Sequence, residues 1–237
     1  MKVEIASIWK FCVACPSLAF LACLILSLWT DWQRSVFTEC IKDGKKHQPY
    51  NLLPSISMMI SDRQPMELIW RAAIALHSFP RLFLGLFFRQ KHLHLIGNKR
   101  FVNLMYIFYF SDIFALLGLT YVQSNEWFLL HAFFFGSFVT ASSFFMISAL
   151  FCVPVVGQAA YRSRKRTFHL HLSSILITMF LYVHHNSTCN DFVYTFFAFF
   201  EYIIVFSNIY FHFLFGSEFA SSTLSIQSGP MYTSLPK

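Results

Sequence analysis

Arg71, His77 and Arg81 stand on one apolar run of the sequence, Asp112 on another and Glu201 on a third. A guanidinium is a bidentate ligand for phosphate or carboxylate, and an imidazole takes up a proton near neutral pH. Each such group is expensive inside a bilayer, by about 2.5–3.5 kcal/mol on translocon scales for a charge. It therefore faces a bundle interior or an aqueous cavity and finds a partner there. Pro80 lacks a backbone donor and frees a carbonyl of the preceding turn. Glu201, Asn208 and His212 follow one another at steps of seven and four, which place them on one helical face. Two readings stay open. The two arginines and two acids neutralise one another and lock helices together, or they line a polar cavity that holds a substrate, with His77 as its titratable group.

Depth along a helix rising about 1.5 Å per residue separates these groups. Arg71 lies one turn below the start of its run and four residues after Glu67, the spacing of an interfacial ion pair. His77 and Ser78 fall near the midplane, Arg81 is deep enough to want an anion, and Asp112 lies near the same depth. His131 begins the fourth apolar run and His184-His185 ends the fifth, so these histidines crowd toward the level of Arg71 and Glu201. That side of the membrane is the better place for a site.

The elements that must carry these residues follow from composition. The chain of 237 residues is 56% hydrophobic and 12% charged, with 31 Phe, far from the balance of a soluble domain. It reads as an all-α polytopic membrane protein, one six-transmembrane-helix bundle over 1–216 with spans at about 9–29, 67–88, 101–121, 127–153, 168–185 and 192–215. Residues 217–237 form a Ser-rich polar tail expected to be disordered. The first run, with no small-residue cleavage site after it, reads as an uncleaved anchor.

The basic connections Arg89–Arg100 and Tyr161–Arg166 belong in the cytoplasm, and both termini with them. The loop over 30–66 is then lumenal or extracellular, its own basic residues offset by acids and by its length. The formal charge of +7 is accounted for by these short loops and does not call for nucleic acid. Cys40 and Cys189 share the oxidising side, where a disulfide is permitted, although sequence alone does not set their distance. The sequon at Asn186 lies in a loop too short to stand clear of the bilayer, so an unmodified side chain is expected. There is no phosphate-binding Gly-rich loop, no Gly-x-Ser-x-Gly elbow and no His-Glu-x-x-His. The pairs His92/His94 and His169/His171 read as surface histidines at cytoplasmic edges, so neither a metal nor another cofactor is expected.

A family resemblance runs through the chain in order. It begins with Cys15-Pro16, Cys40 and Tyr50-Asn-Leu-Leu-Pro-Ser-Ile-Ser57, and continues with Trp70-Arg71, Leu76-His-Ser78, Pro80-Arg81, Asp112 and Leu119-Thr-Tyr-Val122. Ser124, Glu126, His131, His185-Asn186 and Cys189 follow, and then Val193-Tyr-Thr195, Glu201-Tyr202, Asn208 and Phe211-His212. In these residues the chain resembles the post-GPI attachment to proteins factor 2 family, within the wider Frag/DRAM/Sfk superfamily. Asp112 stands where that family also uses Glu, and His184 where an Arg can precede His-Asn.

The resemblance implies work on the lipid of glycosylphosphatidylinositol (GPI) anchors in the Golgi membrane, with the endoplasmic reticulum as a second address. The implied reaction restores a saturated acyl chain to a lyso-anchor intermediate, which makes the anchor lipid or the lyso-anchored protein the partner. The acyl donor, and whether the chain is itself an acyltransferase, stay open. On that reading His77, Asp112 and Glu201 are the catalytic candidates, with an acid orienting the imidazole. Arg71, His131, His185 and Asn208 are the substrate-binding ones. His131 and His185 are rival bases, and Arg81, Pro80 and a Cys40–Cys189 bond would be structural. Two alternatives accompany it: a non-catalytic scaffold or accessory factor, and a lipid transporter or scramblase. No inverted repeat supports the transporter.

Overall fold

The structure is a computed structural model that describes residues 2–152, 157–219 and 223–225. It is all-α, built on six long helices: α1 (Ile5–Thr30), α4 (Met66–Leu95), α5 (Lys99–Tyr121), α6 (Phe128–Cys152), α7 (Gln158–Thr188) and α8 (Val193–Gly216). Between α1 and α4 the chain adds the short helices α2 (Trp32–Ser35) and α3 (Ile56–Ile60), with a hairpin of β2 (Cys40–Lys42) and β3 (Lys45–His47). Among the described residues five helices, α1 and α5 to α8, are long and apolar enough to cross a membrane. The other, α4, carries Glu67, Arg71, His77, Pro80 and Arg81, which lower its hydropathy, yet it runs unbroken through Pro80.

The long helices close into a ring. α1 packs on α4, α4 on α5, α5 on α6, α6 on α7, α7 on α8, and α8 back on α1. One apolar cluster fills the half of the bundle near the chain termini, around Trp9, Phe88, Tyr109, Phe145, Phe211 and Phe215. A second, around Phe20, Met59, Trp70, Ile74 and Tyr202, sits under the 31–65 segment. Gly85 is required by the first. A Cβ there would collide with the Tyr109 ring, so glycine lets α4 and α5 approach closely enough for Tyr109 to reach the α4 backbone.

The helices overrun the apolar windows of the sequence. α4 continues through Arg89 to Leu95, and α7 begins at Gln158, so Tyr161–Arg166 is helical and the fifth helix is longer than the 168–185 expected. Amphipathic stems of basic residues let a helix leave the apolar layer without unwinding. His92 and His171, expected at the surface, are both buried, His92 on the α4 extension and His171 inside the fifth span where it packs against α6 and α8. His92 Nδ1 lies 2.7 Å from the Tyr106 hydroxyl, and His171 joins Ser142 of α6 to Ser207 of α8 at 3.0 and 2.9 Å.

Of the tail beyond Gly216, Ser217–Phe219 make a 3-10 turn, and Thr223–Ser225 (β4) pair antiparallel with Lys2–Glu4 (β1). The remainder of the expected disordered tail lies outside the described residues. Buried Arg164 holds the turn through Glu218 at 2.5 Å. Residues 2–4 and 223–225 therefore meet at one end of the bundle, opposite the 31–65 segment.

Candidate functional site: a string of cavities between two polar clusters

The central cluster joins three helices. Arg81 of α4 donates through Nη2 to Asp112 Oδ2 of α5, and the same nitrogen lies against His212 Nε2 of α8. His212 Nε2 is 3.3 Å from Asp112 Oδ2, and its ring stacks on Phe145 with centroids 5.0 Å apart. Tyr109 completes the arrangement: its hydroxyl donates to the Arg81 carbonyl at 3.0 Å while its ring lies 5.7 Å from the guanidinium. Asp112 is fully buried and the Arg81 side chain is 8% exposed, so each ion is dry and held by the other. Such a pair mainly offsets its own desolvation, which makes it a lock between helices more than a free reagent.

One turn before Arg81, His77 Nδ1 lies 3.0 Å from the Ala73 carbonyl. A carbonyl only accepts, so Nδ1 carries the hydrogen and the neutral ring keeps its lone pair on Nε2. His77, Arg81, Asn208 and His212 line a cavity of about 60 Å³ whose remaining walls are mostly apolar. A water needs about 10–15 Å³ of such space, so the cavity admits a few waters or a short stretch of acyl chain. The Asn208 amide nitrogen is buried with no hydrogen-bond partner among the described residues.

The second cluster lies under the 31–65 segment. There α8 holds the incoming chain by its backbone: Glu201 Oε2 accepts from the Ile56 amide at 3.0 Å, and Tyr202 donates to the Pro54 carbonyl. Thr195 Oγ1 accepts from the Leu52 amide at 2.8 Å and Asp191 Oδ1 from the Tyr50 amide at 2.7 Å. Cys40 and Cys189 are disulfide-bonded, joining β2 to the end of α7. Arg71 pairs with Glu67, whose oxygens also accept from Gln64 at 2.9 Å and Gln123 at 2.8 Å. The guanidinium lies 5.6 Å from the Tyr121 ring centroid. His131 Nδ1 is 2.7 Å from the Val122 carbonyl, and its Nε2 is 2.8 Å from Ser57 Oγ. His185 is buried against the Tyr194 ring, centroids 5.1 Å apart, its Nδ1 without a partner among the described residues.

Two smaller cavities lead from this cluster toward the centre. One of about 10 Å³ is lined by Arg71, Ser57, Thr120 and His131, and one of about 30 Å³ by Ser57, Thr120, His131, Glu201 and Phe138. These two share Ser57, Thr120 and His131. The second shares Trp70, Leu116, Phe138 and Val205 with the central cavity.

The residues singled out in the sequence are thus divided by depth. His77, Arg81, Asp112 and Asn208 belong to the centre; Arg71, His131, His185 and Glu201 belong to the other cluster. An imidazole of His77 oriented by Asp112 or Glu201 is not the arrangement found, since Asp112 is taken by Arg81 and His212, and Glu201 by the Ile56 backbone. Among the described residues no group of three His, Cys, Asp or Glu side chains is placed to hold a metal ion. Sequence reasoning missed Ser57, Thr120, Tyr109 and the His171 bridge as individual contributors. Ser57 lay inside the quoted Tyr50–Ser57 motif, but a serine between apolar residues carries no signal until a histidine is set beside it.

A closed ring of membrane-length helices with an ion-paired interior defines a multi-pass integral membrane protein. The chain belongs to the Frag1/DRAM/Sfk1/Cwh43P family, whose N-terminal domain model matches residues 6–222. It is 32% identical to the Xenopus tropicalis protein named acyltransferase PGAP2, across 91% of this chain and 88% of that one. It is 33% identical to post-GPI attachment to proteins factor 2 of Caenorhabditis elegans, across 96% and 93%. The Drosophila melanogaster protein of the same name is 27% identical, across 89% and 84%. No solved structure matches the chain.

Proposed function

We propose that this protein remodels the lipid of GPI anchors in the Golgi membrane, with the endoplasmic reticulum as a second address, by restoring a saturated acyl chain to a lyso-anchor. The observation that carries this reading is similarity over nearly the whole chain to proteins named for GPI attachment. Composition says that the chain crosses a membrane, whereas the relatives name a process.

The topology that suits this role has six spans with both termini cytoplasmic. The pairing of β1 with β4 supports this topology, since residues 2–4 and 223–225 lie together and α4 with the five apolar helices makes an even number of crossings. The basic residues of Arg89–Arg100 and Tyr161–Arg166 favour the cytoplasm for that side. The Arg71 and Glu201 cluster then faces the lumen, where anchors are displayed. Half-buried Arg71 is the ligand for the anchor phosphate, exchanging Glu67 for it, and the acyl chain lies along the cavities toward His77 and Asn208. His77 and His131 each keep a lone pair on Nε2 and are the candidate bases.

The test is re-expression in cells lacking the activity, followed by mass spectrometry of the anchor lipids. Wild-type protein is expected to restore the saturated chain, and unchanged anchor lipids overturn the reading. A second reading, an accessory factor without chemistry of its own, is favoured by the mutual neutralisation of Arg81 and Asp112. Purified protein given lyso-anchor and acyl donors separates the two, since an accessory factor gives no turnover.

A further inference from the structure

We infer that Ser57 is an acyl-carrying nucleophile and His131 its base, so that acyl transfer proceeds through an ester on this chain. The inference rests on the remodelling function proposed above and adds the residue that holds the chain between donor and acceptor.

The geometry has three parts. Ser57 Oγ is 2.8 Å from His131 Nε2, within the reach a nucleophile and its base require. His131 Nδ1 is fixed at 2.7 Å from the Val122 carbonyl, which can only accept, so the neutral ring presents its Nε2 lone pair to the serine hydroxyl. The third part is Thr120, which is 4% exposed, lines both cavities beside the pair, and has a hydroxyl with no partner among the described residues. An unpartnered buried donor at that place suits the oxygen charge that develops during acyl transfer.

The surroundings fit an acyl ester of a phospholipid. Arg71 lines the first cavity with Ser57 and His131, which places a cation for a phosphate on one side of the pair. The second cavity leads from the pair between Leu116, Phe135, Phe138 and Val205, apolar walls for a hydrocarbon chain. Ser57 and His131 are both only partly buried, so neither is sealed from a substrate.

The step balances in two halves. Ser57 Oγ attacks the carbonyl carbon of a donor acyl ester as its proton passes to His131 Nε2. The donor carbon–oxygen bond breaks, and the departing oxygen takes that proton, leaving a lysophospholipid and acyl-Ser57. The free hydroxyl of the lyso-anchor then gives its proton to His131 and attacks acyl-Ser57. The bond to Oγ breaks, and Ser57 regains the proton.

The experiment uses full-length protein purified in detergent and mixed with dipalmitoyl phosphatidylcholine vesicles or with palmitoyl-coenzyme A, and the same variants in the cell assay. Palmitate is expected on the peptide containing Ser57 from at least one donor, and absent in Ser57→Ala. In Ser57→Cys it becomes a thioester released by neutral hydroxylamine, a signature that a structural serine does not give. In cells, Ser57→Ala and His131→Ala are expected to lower saturated-chain recovery at least tenfold at equal expression, and Ser57→Thr, which keeps the hydroxyl, controls for packing. Wild-type recovery in Ser57→Ala, or no palmitate on Ser57 from either donor, overturns the inference while leaving remodelling intact. Failure of the wild-type protein to change anchor lipids overturns the remodelling function itself.

Discussion

The two polar clusters of this bundle use the same residue types for different ends. At the centre, Arg81, Asp112 and His212 converge from α4, α5 and α8 and spend their charges on one another. Under the 31–65 segment, Glu201, Tyr202, Thr195 and Asp191 bond the backbone of an arriving segment, and the side chains that segment delivers are left for other work. A charge deep between helices must be neutralised locally because burial strips most of its hydration, whereas a polar group near the end of the bundle can hold a loop in place. The difference separates residues that fix the scaffold from residues available to a substrate.

Removing one member of the central pair breaks the comparison most forcefully. Asp112→Ala leaves a buried guanidinium uncompensated and is expected to cost about 3–5 kcal/mol, seen as loss of folded protein or a lowered Tm in detergent. The double change Arg81→Met with Asp112→Leu is expected to recover most of that loss, and an equally unstable double variant would show that the charges do more than cancel. Cys40→Ser is the next largest. The bond closes 149 residues of sequence, and its loss is expected to cost about 2–4 kcal/mol, read as faster proteolysis of the 31–65 segment.

Glu201→Gln sharpens the contrast on a smaller scale. An amide oxygen can still accept from Ile56, so only the charge assistance is lost, about 1 kcal/mol, with α3 loosened before the bundle melts. Glu67→Gln is smallest, about 0.5 kcal/mol of stability read as a small drop in Tm, because its partner Arg71 is four residues along the same helix and part exposed. A large loss of stability from Glu67→Gln would place Arg71 with the scaffold and remove it from the substrate.

Much of this was legible before any fold was seen. Period and hydropathy identify the apolar runs, and the cost of buried charge predicts that Arg81 and Asp112 want partners at a similar depth. The same cost argument explains why Arg71 and Glu67, at helical spacing, pair locally. Less legible was the length of α4 and α7, since basic residues that read as connections continue the helices. His92 and His171 misled because polarity in sequence was taken for exposure: packing of the α4 extension buried the first, and α6 and α8 enclosed the second.

The sequence by itself determined that the chain is helical, crosses a membrane and carries charges that need company, because those properties depend on local composition and on residues a few positions apart. Only the tertiary structure decided which company each group keeps. Ser57 and His131 are separated by 74 residues and meet because Glu201, another 70 residues on, holds the first turn of α3 against α8. Contacts of that range are fixed by how the ring of helices closes, and no periodicity within a single helix encodes them.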